Sequence, residues 1–145
     1  MAEEKKIEYR LSELATIVEL LKNLMPRYNV FTFSGQLGAG KSTLIRALLR
    51  SCGIQGVIAS PTFTYMSAYE NEHGQYYYHF DLYRINSLDA FVNAGFNEYL
   101  YQPNSWCFIE WPEIIEPLLT DKVCHITLDY VDAITREMRL DLIPA

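Results

Sequence analysis

The sequence has no long apolar run, few cysteines and no block of basic residues, and each shortage narrows what the chain can be. No stretch approaches 18 consecutive apolar residues, so no helix is expected to span a membrane. The start, Met1-Ala2-Glu3-Glu4-Lys5-Lys6, has no apolar segment behind it of the kind a signal peptide needs. Cys52, Cys107 and Cys124 are odd in number, far apart and flanked by apolar residues. That pattern predicts buried, reduced thiols rather than disulfides or a metal site, and with it a cytoplasmic location and no membrane partner. The 12 Lys and Arg residues are scattered and outnumbered by 18 Asp and Glu, for a net charge of −6. Tight autonomous binding to RNA or DNA needs clustered cations, so in any nucleic-acid pathway a partner is expected to hold the nucleic acid. There is no N-K-x-D guanine-reading motif and no D-x-x-G switch, which argues against a GTPase of the usual sort. No Arg-rich lid segment appears, which argues against a small-molecule kinase.

What is present centres on Gly35-Gln36-Leu37-Gly38-Ala39-Gly40-Lys41-Ser42, a full match to G-x-x-x-x-G-K-[ST]. By average residue usage that pattern arises by accident in about 0.5% of chains this long. Its surroundings strengthen it. Val30-Phe31-Thr32-Phe33 is apolar, β-branched and aromatic, and reads as a buried strand. From Ser42 to Cys52, Leu44, Ile45, Leu48 and Leu49 fall at helical spacing, and Gly53 is placed to end the helix. Strand, glycine loop and helix together are the context that a phosphate loop requires. Gly35, Gly38 and Gly40 let the backbone curl and leave no side chain in the way of a phosphate. The loop N–H groups would form an anion nest at a helix N-terminus, Lys41 would reach the outer phosphates from a solvent- or ligand-facing position, and Ser42 would offer a hydroxyl to Mg²⁺.

The 145 residues, half of them hydrophobic and 21% charged, suit one domain spanning 1–145. Ile7 to Arg10 reads as a short edge strand. Ser12 is placed to cap a helix whose apolar face is Leu14, Ile17, Val18, Leu21 and Leu24 and which Pro26 stops. Residues 63 to 69 and 75 to 83 alternate and are rich in aromatics, with Asn71-Glu72-His73-Gly74 as a hairpin turn between them. Ser87 to Val92 reads as a short helix stopped near Gly95. Trp106 to Ile109 reads as a second buried strand, and Val123 to Tyr130 with Thr135 to Ile143 as a C-terminal hairpin turning near Asp132. The expected fold is α/β: a P-loop NTPase-like three-layer sandwich with a mixed sheet, parallel at its core and flanked by antiparallel hairpins.

A phosphate loop needs an acidic partner for Mg²⁺, commonly at the end of an apolar strand. Glu110 and Asp81 both end such strands. One would reach the metal and the other orient the attacking water; the residues alone leave the assignment open. Thr62 follows the phosphate-loop helix, where nucleotide-sensing segments usually lie. His79 reads as a satisfied core histidine, and among Tyr76, Tyr77 and Tyr78 at least one should face outward.

Four blocks in order, Leu37-Gly38-Ala39-Gly40-Lys41-Ser42, Ser60-Pro61-Thr62-Phe63-Thr64, His79-Phe80-Asp81-Leu82-Tyr83-Arg84 and Ile109-Glu110-Trp111-Pro112, resemble the TsaE family, older name YjeE. This family of small bacterial P-loop ATPases works in threonylcarbamoyl-adenosine modification of tRNA. The resemblance implies weak ATP hydrolysis to ADP alone and more with partners. Those partners are the transferase subunit that modifies A37 of tRNAs reading ANN codons and its inactive paralogue, with tRNA met only indirectly. It implies that hydrolysis resets the complex between turnovers. It also implies that Ser42 and Glu110 hold Mg²⁺ and that Lys41, Asp81 and Thr62 support hydrolysis. Nucleotide contacts would come from Glu13, Gly35, Gly38, Ala39, Gly40, Lys41, Ser42, Thr43, Thr135 and Arg136. The chain departs from the family pattern at Gln36, where many relatives are acidic, and at Thr135, where many have glycine; Thr135 is therefore expected to contact the nucleotide through its backbone. Two other classes remain open, a small-molecule kinase and a nucleotide-gated binding module with negligible turnover.

Overall fold

A computed structural model describes residues 3–36 and 38–145. Leu37 of the glycine loop, with Met1 and Ala2, lies outside the described residues. Seven strands form one mixed sheet: β1 (Glu3–Arg10), β2 (Val30–Gly35), β3 (Met66–Glu70), β4 (Tyr76–Asp81), β5 (Ser105–Glu110), β6 (Val123–Asp132) and β7 (Thr135–Ile143). Their order is β1-β7-β6-β2-β5-β4-β3. The four central strands, β6, β2, β5 and β4, are parallel, and antiparallel pairs close both sides.

Strand periodicity divides the side chains between two layers. On one face Phe31, Phe33, Phe108, Cys124, Ile126, Leu128, Met138 and Leu140 pack against helices α1 (Leu14–Leu24) and α2 (Lys41–Ser51). On the other, Val30, Phe80, Cys107, Ile109 and Val123 pack against α3 (Leu88–Asn93) and the 3-10 turn Pro112–Leu118. The three-layer α/β sandwich expected from the sequence is the observed architecture. No helix among the described residues is long and apolar enough to cross a membrane.

The boundaries mostly follow the residue patterns. Ile17, Val18, Leu21 and Leu24 form the buried face of α1, and Gly53 follows α2 in the left-handed conformation, with φ 89°. The edge strand is longer than the apolar pattern showed, because Glu3 to Lys6 pair with Arg139 to Leu142 through the backbone, whatever their charge. Ser12 is not the helix cap. Residues Leu11–Glu13 form a 3-10 turn, and Glu13 Oε1 accepts the Arg10 N–H at 2.9 Å instead. Residues 63 to 65, expected to open the strand, are turn and bend instead, and pairing begins at Met66. All three cysteines are free and buried, and burial pushes the Cys107 and Cys124 thiols up to about 12, so they stay protonated and inert.

Candidate nucleotide site

Three chain segments converge because three parallel strands end at one edge of the sheet. Strand β2 runs into the glycine loop at Gly35, β5 ends at Glu110 beside it, and β4 ends at Asp81, whose register partner is Glu110. Clefts at the carboxyl ends of parallel strands are where open α/β sheets bind ligands. Here a cleft of about 460 Å³ is lined by Gly38, Gly40, Lys41, Ser42, Thr43, Ser60, Thr62, Asp81, Glu110 and Trp111, among others.

The loop is built by its glycines. Gly35 leaves the sheet at φ 138°, and Gly40 caps α2 at φ 100°. The first N–H groups of an α-helix have no partner within it, so the start of α2 presents donors and partial positive charge to the cleft. Lys41 begins that helix. It does not face solvent, being only 5% exposed, but it lines the cleft. Its Nζ donates to the carbonyls of Gly35 and Gln36 and sits 3.8 Å from the centre of the Trp111 ring. The cause is local. Trp111 is left-handed, with φ 58°, which turns its ring back over the loop. Burial lowers the Lys41 pKa, while Glu110, Glu113 and Asp81 oppose that by favouring the ammonium.

Glu110, 3% exposed, is held at both oxygens. The Ser42 hydroxyl donates to Oε1 at 3.1 Å and His79 Nε2 lies 2.7 Å from Oε2. Ser60 Oγ is 3.3 Å from Ser42 Oγ. Two adjacent hard oxygen donors, an alcohol and a carboxylate, suit Mg²⁺, which takes few protein ligands and fills its shell with water and phosphate oxygens. Among the described residues no cluster of three or more His, Cys, Asp or Glu could hold an ion. Asp81 is half-buried, and burial raises its pKa against the Tyr83 N–H that donates to Oδ1 at 3.2 Å. The Asp81 N–H donates to Tyr65 O, and Tyr65 N–H donates to Pro61 O. The turn carrying Thr62 is thus tied through the backbone to the end of β4.

Other proposed contacts are dispersed. Arg136, buried, donates from Nε to Ala39 O at 3.3 Å, which seats the β6–β7 hairpin against the glycine loop. Thr135 pairs with Arg10, and its carbonyl accepts from Arg136 Nη1 at 3.0 Å. Glu13 is exposed and does not line the cleft; its carboxylate serves the Arg10 N–H. His79 is buried, as expected of a core histidine, but it is not fully satisfied: among the described residues Nδ1 has no hydrogen-bond partner. Sequence reasoning gave no role to Ser60, Tyr83, Arg84 or Trp111, which also line the cleft. The Tyr83 and Trp111 rings meet at a tilt, with centroids 5.0 Å apart, and Arg84 lies 5.0 Å over the Phe63 ring. Their position within the Ser60, His79 and Ile109 blocks was the available signal. A larger cavity, about 600 Å³, opens at the opposite end of the sheet near Cys52, Asn71 and Trp106 and contains none of these residues.

Comparison with known proteins bears on the family and the fold. The family model described as threonylcarbamoyl adenosine biosynthesis protein TsaE matches residues 9–138. The tRNA threonylcarbamoyladenosine biosynthesis protein TsaE of Haemophilus influenzae is 39% identical over 99 residues, 68% of this chain and 61% of that protein. Its namesake from Rickettsia felis is 33% identical over 121 residues, 83% of this chain and 69% of that protein. The chain thus spans about three fifths to two thirds of these relatives. The crystal structure of Bacillus subtilis YdiB superposes with a TM-score of 0.73 at 26% identity, covering 99% of this chain and 88% of that one.

Proposed function

The chain belongs to the TsaE family, and from that premise we propose that it is a cytoplasmic, Mg²⁺-dependent ATPase that serves threonylcarbamoylation of A37 in tRNAs reading ANN codons. It would act as an accessory subunit, with the transferase subunit and its inactive paralogue as partners and ATP hydrolysis resetting their complex. The observation that carries the nucleotide reading is the Ser42–Glu110 hydrogen bond of 3.1 Å at the mouth of the glycine loop. It joins, across 68 residues of sequence, the two oxygen donors that a Mg²⁺-nucleotide site needs.

Each residue then has a task. The loop N–H groups and Lys41 bind and orient the phosphates, because backbone donors at a helix start and a fixed cation favour negative charge. Ser42 and Glu110 present oxygens to the metal. A bound Mg²⁺ would offset charge on the β- and γ-phosphate oxygens. Asp81, in the neighbouring strand, would accept a hydrogen bond from an attacking water, and Thr62, which lines the same cleft, would support hydrolysis. Phosphate release from ATP should be detectable, depend on Mg²⁺, and rise when the two partner proteins are added. Failure of the protein to bind ATP in the presence of Mg²⁺ would refute the nucleotide reading; turnover that ignores both partners would refute the accessory role.

The two carboxylates should separate in mutagenesis. Glu110→Gln removes a metal oxygen's charge and should raise the Mg²⁺ needed for half-maximal ATP binding by about tenfold or more. Asp81→Asn should cut hydrolysis with a smaller effect on binding. Mg²⁺ titrations of both variants assign the roles, and the reverse pattern would exchange them.

The isolated protein should bind tRNA weakly or not at all at physiological salt. Its net charge is −6, and its 12 basic residues include Lys41, committed to the loop, and Arg136, buried against it. Counterion release therefore gives little. A filter-binding assay checks this, and submicromolar affinity would point instead to direct RNA handling.

A further inference from the structure

His79 lies on β4 two residues before Asp81, and Asp81 is the register partner of Glu110 on β5. On one sheet face this makes His79 the diagonal neighbour of Glu110, a separation that two long side chains can bridge. They do so: Nε2 and Oε2 are 2.7 Å apart, with His79 2% and Glu110 3% exposed. The other ring nitrogen is informative. Among the described residues, His79 Nδ1 is the one buried side-chain nitrogen or oxygen without a hydrogen-bond partner. A hydrogen on Nδ1 would be a donor sealed from water with nothing to receive it, which costs about 1–3 kcal/mol. A hydrogen on Nε2 meets a carboxylate oxygen instead. The surroundings therefore select the Nε2–H tautomer and make Nε2 the donor.

We propose that His79 is a positioning residue for the divalent cation: its Nε2–H clamps Glu110 Oε2, so that Oε1 is turned to Ser42 and to the metal these two oxygens would share. The proposal rests on the nucleotide reading of the cleft. A glutamate has three side-chain torsions, and a carboxylate gripped at one oxygen loses the freedom to turn the other away. The grip also settles a competition. Glu110 is the foremost charge favouring the ammonium form of Lys41, yet no Lys41–Glu110 ion pair forms among the described residues. With Oε2 tied to His79, the carboxylate serves Ser42 and leaves the Lys41 ammonium on the glycine loop. Outer partners of this kind orient metal ligands, and their loss typically lowers metal affinity about 10- to 100-fold.

Two variants separate position from polarity in the full chain. In His79→Gln the side-chain amide nitrogen reaches the place of Nε2; in His79→Asn it reaches only that of Nδ1. ATP binding is measured by calorimetry in EDTA and then across a Mg²⁺ titration. H79Q should stay within about threefold of the parent, and H79N should need about tenfold more Mg²⁺, with a smaller change in metal-free ATP binding. Long-range ¹H–¹⁵N spectra of the parent should show His79 protonated at Nε2, a readout that needs neither metal nor nucleotide and stands even if H79N does not fold. The proposal is overturned if H79N matches the parent, if H79Q is impaired as much as H79N, or if the hydrogen is found on Nδ1. A parent protein whose ATP binding ignores Mg²⁺ would remove the nucleotide reading and this inference together. A Mg²⁺-dependent parent with an indifferent H79N would remove this inference alone.

Discussion

Lys41→Ala is expected to lose ATP affinity by about 10- to 150-fold while remaining folded. The magnitude is that of one charge-assisted hydrogen bond to phosphate, roughly 1.5–3 kcal/mol, converted at about 1.4 kcal/mol per tenfold. The structure refines the reasoning behind it. The Lys41 ammonium is not poised in solvent; it is held by the Gly35 and Gln36 carbonyls and lies on the Trp111 ring. Those contacts fix the cation at the lip of the cleft without neutralising it, since carbonyls and an aromatic face carry only partial charge. A triphosphate carries full negative charge and competes well for the same ammonium. Removing the side chain also frees two carbonyls, but Gln36 is exposed and Gly35 half-buried, so water can take the place of the lost donor. Calorimetric titration with Mg²⁺-ATP measures the affinity, and a thermal melt measures the fold. Affinity equal to the parent's would mean that the loop is not a phosphate site.

Much of this was readable from residue order alone, and the remainder was hidden for identifiable reasons. Local patterns carry their own answer. The alternation in β6 and β7, the helical spacing of Leu44, Ile45, Leu48 and Leu49, and the glycines at the loop each depend on near neighbours in sequence. Strand ends were also legible, so Glu110 and Asp81 stood out as carboxylates at the edge of a sheet. What could not be read were contacts fixed by register between distant strands. The His79–Glu110 hydrogen bond spans 31 residues and exists only because β4 and β5 are parallel in one alignment. The burial of Lys41 depends on the left-handed turn at Trp111, a conformation uncommon for a large residue and not marked by the proline that follows it. Ser12 misled because a serine near a helix start is usually its cap; here a 3-10 turn precedes the helix and Glu13 reaches back to the Arg10 N–H.

The same loop should show two different uses of glycine. Gly35→Ala is expected to destabilise the whole domain. At φ 138° the backbone is in a region that alanine rarely adopts, and a Cβ built there would lie 2.2 Å from the carbonyl oxygen of Leu128, its register partner on β6. That neighbour is main chain in the middle of the sheet and cannot swing aside. Strained backbone costs on the order of 1–3 kcal/mol, and forced overpacking about 1–3 more. Against a typical total stability of roughly 5–15 kcal/mol, the sum removes much of the margin. The melting temperature should fall by about 5–20 °C, at roughly 2–4 °C per kcal/mol for a chain near this size. Gly38→Ala should behave otherwise. Its φ is 83°, so some strain remains, but a Cβ there meets nothing among the described residues within 4 Å, in the loop that lines the cleft. Its stability loss should be the smaller of the two, and its ATP affinity should fall because a methyl group stands where phosphate approaches. Thermal melts and ATP titrations of both variants test the pair. Equal melting temperatures for the two would contradict the close approach of Gly35 to β6, and parent-like ATP binding by Gly38→Ala would contradict the placement of phosphate against the loop.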